Sequence, residues 1–197
     1  LDLKTPGICS TLFINRIREE DKIELINRLF PSSGDIIDCG SNIGFYPLYL
    51  SRLMKDSQKL VSLEPDIRNY QILAMNKQFL DIPFDNYIMM NVAAHSRECL
   101  GQLDVSRASN LSRLIFDSNP HDSDQFQSVC CITIDSLVQK YALNPMFIRM
   151  DAEGHEVEIL NGMRSTSVGA QRGFILLIEV HPSAYSESRS FADELNF

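Results

Sequence analysis

One stretch constrains this chain more than any other: Asp35-Ile36-Ile37-Asp38-Cys39-Gly40-Ser41-Asn42-Ile43-Gly44-Phe45-Tyr46. It reads as a strand, a tight glycine turn and a helix. β-Branched Ile36 and Ile37 suit a parallel strand buried on both faces. Asp38 stands where that strand ends. Gly40 and Gly44 bracket a turn whose backbone takes positive φ and lets a ligand approach closely. Pro47 falls in the first turn of the following helix, where its missing N–H costs little. A helix N-terminus aimed over a strand end points free N–H groups at a ligand. Taken alone, the Gly-x-x-x-Gly spacing is also that of an ordinary strand-to-helix turn.

Lys59-Leu-Val-Ser-Leu-Glu64 adds a second pointer. It is another buried-strand pattern, and it ends in an acid followed by Pro65. An acid at the tip of the second strand holds ribose hydroxyls in nucleotide-binding α/β folds. A glycine turn and a carboxylate on adjacent strand tips predict a nucleoside-containing ligand.

The rest of the chain keeps the same rhythm as far as residue 94. Arg18–Phe30 has helical periodicity with Ile23, Leu25, Ile26, Leu29 and Phe30 on one face, and Pro31-Ser-Ser-Gly34 ends it. Phe45–Met54 and Pro65–Leu80 read as crossover helices, and Tyr87–Ala94 as the third strand. Ala93 and Ala94 leave room for a flat ring, or simply for close helix–strand packing. Leu100–Val105 reads as a short strand. Ser106–Gln127 is a long polar connection containing Asn110, Ser112, Asn119, Pro120, His121, Asp122 and Asp124; such connections act as substrate lids or as plain surface loops. Ser128–Ile134 is a strand, with Asp135 predicted to cap the helix Ser136–Tyr141. Met146–Met150 is a strand ending at Asp151. Glu153 and Glu156 then face the positive end of a helix. Gly173–Pro182 contains the last strand, ending in Glu179 and His181. Strand–helix alternation with short joins predicts a doubly wound, mostly parallel, Rossmann-like α/β sheet. The expected organisation is a covering helix region over 1–33, a catalytic domain over 34–182 and a tail over 183–197.

Composition narrows the partners. Formal net charge is −8, which argues against a nucleic-acid footprint and suits a small, even cationic, ligand. No apolar run approaches a membrane span, and no secretory leader is visible. Five cysteines without C-x-x-C suggest neither a disulfide framework nor a zinc site. These features lead to the expectation of a cytoplasmic location. Leu1 as first residue leads to the expectation of a fragment of a longer protein, a processed form or an ordered core.

Asp38, Glu64, Asp151, and Glu179 with His181 all stand at strand tips. Each has a plain structural role available, as a helix N-terminal acid or a surface group. Together, at one edge of a parallel sheet, they make a site.

These segments resemble the FkbM family of S-adenosylmethionine-dependent methyltransferases. The resemblance lies in Ile37–Tyr46, Leu63-Glu-Pro-Asp66, Asn91-Val-Ala-Ala94, Thr133–Leu137, Ile148–Glu156 with Leu160-Asn-Gly162, and Ile178-Glu-Val-His181. It implies a class I methyltransferase sheet, S-adenosyl-L-methionine as cofactor and a hydroxyl acceptor on a sugar or macrolactone-like molecule. By position, Asp38, Gly40, Ser41, Asn42 and Gly44 would hold the methionine end. Glu64 would bond the ribose, with Pro65 lining the pocket. Ala93 and Ala94 would border the adenine, and Asp151 would sit beside the sulfonium. Arg149 departs from a frequent lysine. The family sheet also carries two further strands after the position of His181, which this chain stops short of.

A hydroxyl acceptor must lose its proton, and Asp151, His155 and His181 are the candidate bases, with Glu179 as an orienting partner. The clustered carboxylates leave metal dependence open, but no ligand spacing demands a metal. A nicotinamide dehydrogenase would share the first turn and Glu64. It prefers G-x-G-x-x-G, however, and this chain keeps Asp38 where a diphosphate would be repelled. A non-catalytic cofactor-binding or interaction domain is the remaining alternative.

Overall fold

The structure, a computed structural model, describes residues 19–106, 112–116, 124–169, 173–182, 185 and 191–194. In chain order these form α1 (Glu20–Leu29), β1 (Asp35–Cys39), α2 (Phe45–Ser51), β2 (Leu60–Leu63), α3 (Ile67–Asn76) and β3 (Tyr87–Met90). Four strands follow: β4 (Ala93–Ala94), β5 (Cys99–Asp104), β6 (Arg113–Ile115) and β7 (Phe126–Ile132). The remainder is α4 (Ile134–Tyr141), β8 (Pro145–Met150), α5 (Glu156–Asn161), α6 (Arg164–Gly169), β9 (Ile175–Ile178) and α7 (Phe191–Glu194).

The main sheet has the order β3-β2-β1-β8-β9, and every pairing in it is parallel. Alternation along each strand sends side chains to two separate cores. Ile36, Leu60 and Phe147 face α1 and α2, where they meet Ile26, Tyr46 and Leu50. Ile37, Val61, Ile148 and Met150 face α4 and α5, where they meet Leu137, Ile159 and Leu160. Both faces are covered, so the strands are apolar throughout. The doubly wound parallel sheet expected from the sequence is the fold observed. The order reverses between β2-β1 and β8-β9, and ligands bind such sheets at the carboxyl ends flanking that switch point.

The sequence reading needs four corrections. The stretch Tyr87–Ala94 is not one strand. Asn91 breaks it, its amide donating to the carbonyls of Glu64 and Pro65, both at 2.8 Å. Beyond Asn91 the chain joins a second sheet, β4-β7-β5-β6, with antiparallel β5–β7 and β5–β6 pairs. Asp135 does not cap α4. Thr133 does, its Oγ1 accepting from Ser136 N, while Asp135 accepts from Ser165 N and Thr166 N at the start of α6. In α1, Ile26 is buried but Leu25 and Leu29 are largely exposed, so its apolar face is narrower than the periodicity suggested. The long connection is interrupted by β6, and Ser112 and Leu114 from it reach the cleft described below. Asn110, Asn119, Pro120, His121 and Asp122 lie outside the described residues.

Candidate active site

The turn after β1 is held by its neighbours. Gly40 N and Ser41 N both donate to Leu63 O at 3.0 Å. Gly40 has φ +83°, and a Cβ there would lie 2.0 Å from the carbonyl oxygen of Asp151, so only glycine lets the turn press against the tip of β8. Glu64 clamps the same turn. Its Oε2 accepts Asn42 N at 2.7 Å and its Oε1 accepts Asp66 N at 2.9 Å. Glu64 is almost wholly buried, and that burial, outweighing the two backbone donors, pushes its carboxyl up to about 8. The Asn69 side chain also hydrogen-bonds this carboxylate, which nevertheless has more acceptor positions than these three partners fill, and the residue still lines the cleft.

Arg149 forms part of the floor. It is the cross-strand partner of Asp38 in the β1–β8 register. Its Nη1 donates to Asp38 Oδ1 at 2.9 Å and to Gly40 O at 3.1 Å, and its Nη2 donates to Asp151 Oδ2 at 2.8 Å. The guanidinium carbon lies 3.8 Å from the centre of the Tyr46 ring. Burial works against the cation, but the Asp38 and Asp151 charges outweigh it and raise its pKa. Asp38 itself is fully buried outside the lining of the cleft. The cleft therefore meets Arg149 at this point. The argument that a bare Asp38 would repel a diphosphate does not hold, because that charge is covered and paired.

At the tips of β8 and β9 a second polar group assembles. Glu156 is completely buried and accepts from Gly154 N at 3.1 Å, Tyr185 Oη at 2.5 Å and His181 Nδ1 at 2.8 Å. Burial would raise its pKa, but these donors hold it below the usual carboxylate range. His181 is thereby oriented by Glu156, not by Glu179, which instead pairs with Lys22 at 2.5 Å. His181 Nε2 faces Glu153 Oε2 at 3.7 Å and Asp151 Oδ1 at 4.0 Å. Burial disfavours the imidazolium, yet Glu156, Glu153 and Asp151 raise its pKa overall. Asp151 and Glu153 are raised too, chiefly by burial. No sequence signal separated Glu156 from any acid in a first helical turn; its burial is a tertiary fact.

The opposite wall comes from the second sheet. Ala93 and Ala94 line it with Leu103 and Leu114. His95 is buried, with its Nδ1 2.8 Å from Nε2 of His155 and its ring stacked on Phe116 at 4.5 Å. His155 is thus tied into an aromatic group, away from His181. One cleft with about 1140 Å³ of empty volume, open solvent at its mouth included, joins these features. Gly40, Ser41, Asn42, Glu64, Pro65, Ala93, Ala94, Asp151, His155 and Glu179 all line it. Asp38, Gly44 and His181 are not part of that lining, although His181 Nε2 faces the lining residues Asp151 and Glu153. Gly44 is the positive-φ residue preceding α2, at φ +95°.

Acids and a glycine turn line one cleft at the carboxyl edge of a doubly wound parallel sheet, the place where such folds bind their ligands. Residues 38–197 match the family model of the Methyltransferase FkbM domain, and the chain belongs to that family. The match starts at Asp38 and runs through the tail. In fold the chain is similar to the crystal structure of methyltransferase FkbM from Methylobacillus flagellatus KT, with a TM-score of 0.54 and 22% identity. That likeness covers 89% of this chain and 38% of the other, so the chain spans well under half of that protein's length. No curated protein matches it. No helix among the described residues is long and apolar enough to cross a membrane.

Proposed function

We propose that this chain is an S-adenosylmethionine-dependent methyltransferase acting on a hydroxyl of a sugar or small natural-product-like acceptor. The observation that carries the reading is that Glu64 and Asp151, from the tips of β2 and β8, line one cleft. The residues fit the cofactor. Glu64 offers lone pairs to ribose hydroxyls, Gly40 keeps the turn free of a side chain, and the small Ala93 and Ala94 accept a flat ring. Arg149 suits the carboxylate of the methionine tail. Three further acids, Asp151, Glu153 and Glu179, line the cleft beside Glu64 and favour a cationic ligand over an anionic one.

When bound, the cofactor supplies an electrophilic methyl group on a sulfonium. This chain's residues then mainly position the acceptor and deal with its proton. The group formed by Asp151, Glu153 and His181 is suited to meet the hydroxyl. His155 is less suited to the proton-accepting role, since its Nε2 is engaged with His95.

Calorimetric titration with S-adenosylhomocysteine and, separately, with NAD tests the reading. Micromolar binding of S-adenosylhomocysteine that is lost in Glu64→Ala, with none for NAD, supports it. Preference for NAD overturns it. Binding without methyl transfer to any hydroxyl acceptor favours a non-catalytic cofactor-binding domain.

A further inference from the structure

We propose that Asp151, Glu153 and His181 form a divalent-cation site, of the Mn2+ or Mg2+ class, at the acceptor end of the cleft. The role of this site in catalysis rests on the methyl-transfer reading; its existence does not. One ligand atom from each residue lies within 4.8 Å of the other two. His181 is prepared as a ligand. Its Nδ1–H is taken by fully buried Glu156, which leaves the Nε2 lone pair directed at the two carboxylates. A carboxylate on the far nitrogen of a histidine is the arrangement that fixes tautomer and orientation in metal sites.

The separations carry the argument further. Nε2 stands 3.7 Å from Glu153 and 4.0 Å from Asp151. Both are too long for hydrogen bonds. Three groups that accept protons or cations therefore converge across a gap that no hydrogen bond between them closes. Metal–ligand bonds of about 2 Å on either side span such a gap. Asp151 is steadied by Arg149 on its other oxygen, so Oδ1 is the atom left to coordinate.

Two carboxylates and one imidazole suit Mn2+, with oxygen ligands favouring Mg2+ as the alternative. Three protein ligands leave the other positions of an octahedron to water or to acceptor hydroxyls. A hydroxyl on the cation becomes more acidic and gives its proton to solvent. This locates acceptor activation at the metal, with Glu156 as a positioning residue.

The test is titration of the 197-residue chain with Mn2+, read by loss of the free-ion paramagnetic resonance signal, with S-adenosylhomocysteine binding measured on the same sample. One saturable Mn2+ per chain is expected, with affinity about 10–100-fold weaker in Glu156→Gln and weaker also in Glu153→Gln. Glu153 is part-exposed, so that variant carries the test even if Glu156→Gln fails to fold. Unsaturable uptake, or equal affinity in Glu153→Gln, overturns the proposal. Mn2+ binding without S-adenosylhomocysteine binding leaves the cation site standing and removes the methyl-transfer reading.

Discussion

Arg149 holds Asp38 at 2.9 Å across the β1–β8 pairing, and neither residue has appreciable access to water. Asp38 Oδ2 has no hydrogen-bond partner among the described residues, so the guanidinium is the main compensation there. Removing one partner of such a pair leaves a buried charge and costs about 3–5 kcal/mol. Arg149→Met is therefore expected to lower the urea midpoint sharply. Arg149→Lys restores one cation but not the fork that spans Asp38 and Asp151, and should fall between. A double variant, Asp38→Asn with Arg149→Met, should recover part of the loss. Equal stability of Arg149→Met and the parent would refute the assignment.

Glu64 ties ligand binding to a proton. Its carboxyl is pushed up to about 8 by burial, so it is mostly protonated at pH 7. Ribose hydroxyls donating to it favour the ionised form. Binding of S-adenosylhomocysteine at pH 7 is then expected to release close to one proton per site. Calorimetry in buffers of different ionisation enthalpy reads this directly. Glu64→Gln should abolish the release as well as weaken binding. Identical enthalpies in all buffers would mean that Glu64 does not change state on binding.

The same residue sets a pH dependence of stability in the ligand-free chain. Its folded pKa, about 8, exceeds the ordinary 4.5. The folded state therefore holds the proton more tightly than the unfolded one. Its stabilising contribution is complete below about pH 4.5 and is lost as pH rises through about 8. The slope in that window reaches about 1.4 kcal/mol per pH unit for one proton. Thermal melting of Glu64→Gln should lack this decline. Asp151 and Glu153, also raised, add to the parent slope in the same direction.

Local pattern explains why the main sheet was legible and part of the site was not. β1, β2 and β8 are short apolar runs ending in an acid or a glycine turn, and their tips follow from that punctuation. Asn91 is different. Nothing local marks it as the point where the chain leaves the parallel sheet, because its amide is fixed by carbonyls of Glu64 and Pro65 far back in sequence. The second sheet depends on that departure. His181 was legible as a strand-tip group, whereas its partner was not: Glu179 lies two residues away in sequence, yet it pairs with Lys22 of α1. Glu156 reaches His181 from 25 residues back in the chain, a contact that only the tertiary fold creates. Arg149 looked like a minor exchange for lysine, yet its register with Asp38 makes it the floor of the cleft.

Gly40 offers the sharpest steric test of that cleft. Its φ of +83° and a Cβ landing 2.0 Å from Asp151 O are separate penalties. Gly173 separates them, since it has φ +68° but nothing within 4 Å of a Cβ. Gly173→Ala should cost only the left-handed conformation, about 1–2 kcal/mol. Gly40→Ala must in addition push back the backbone that carries Asp151, so it should cost clearly more. It should also weaken S-adenosylhomocysteine and Mn2+ binding together, because the turn and the tip of β8 move apart. The comparison uses thermal melting and both titrations on the two variants. If Gly40→Ala melts with Gly173→Ala and binds both ligands as the parent does, the close approach of turn and strand tip is not what shapes the site.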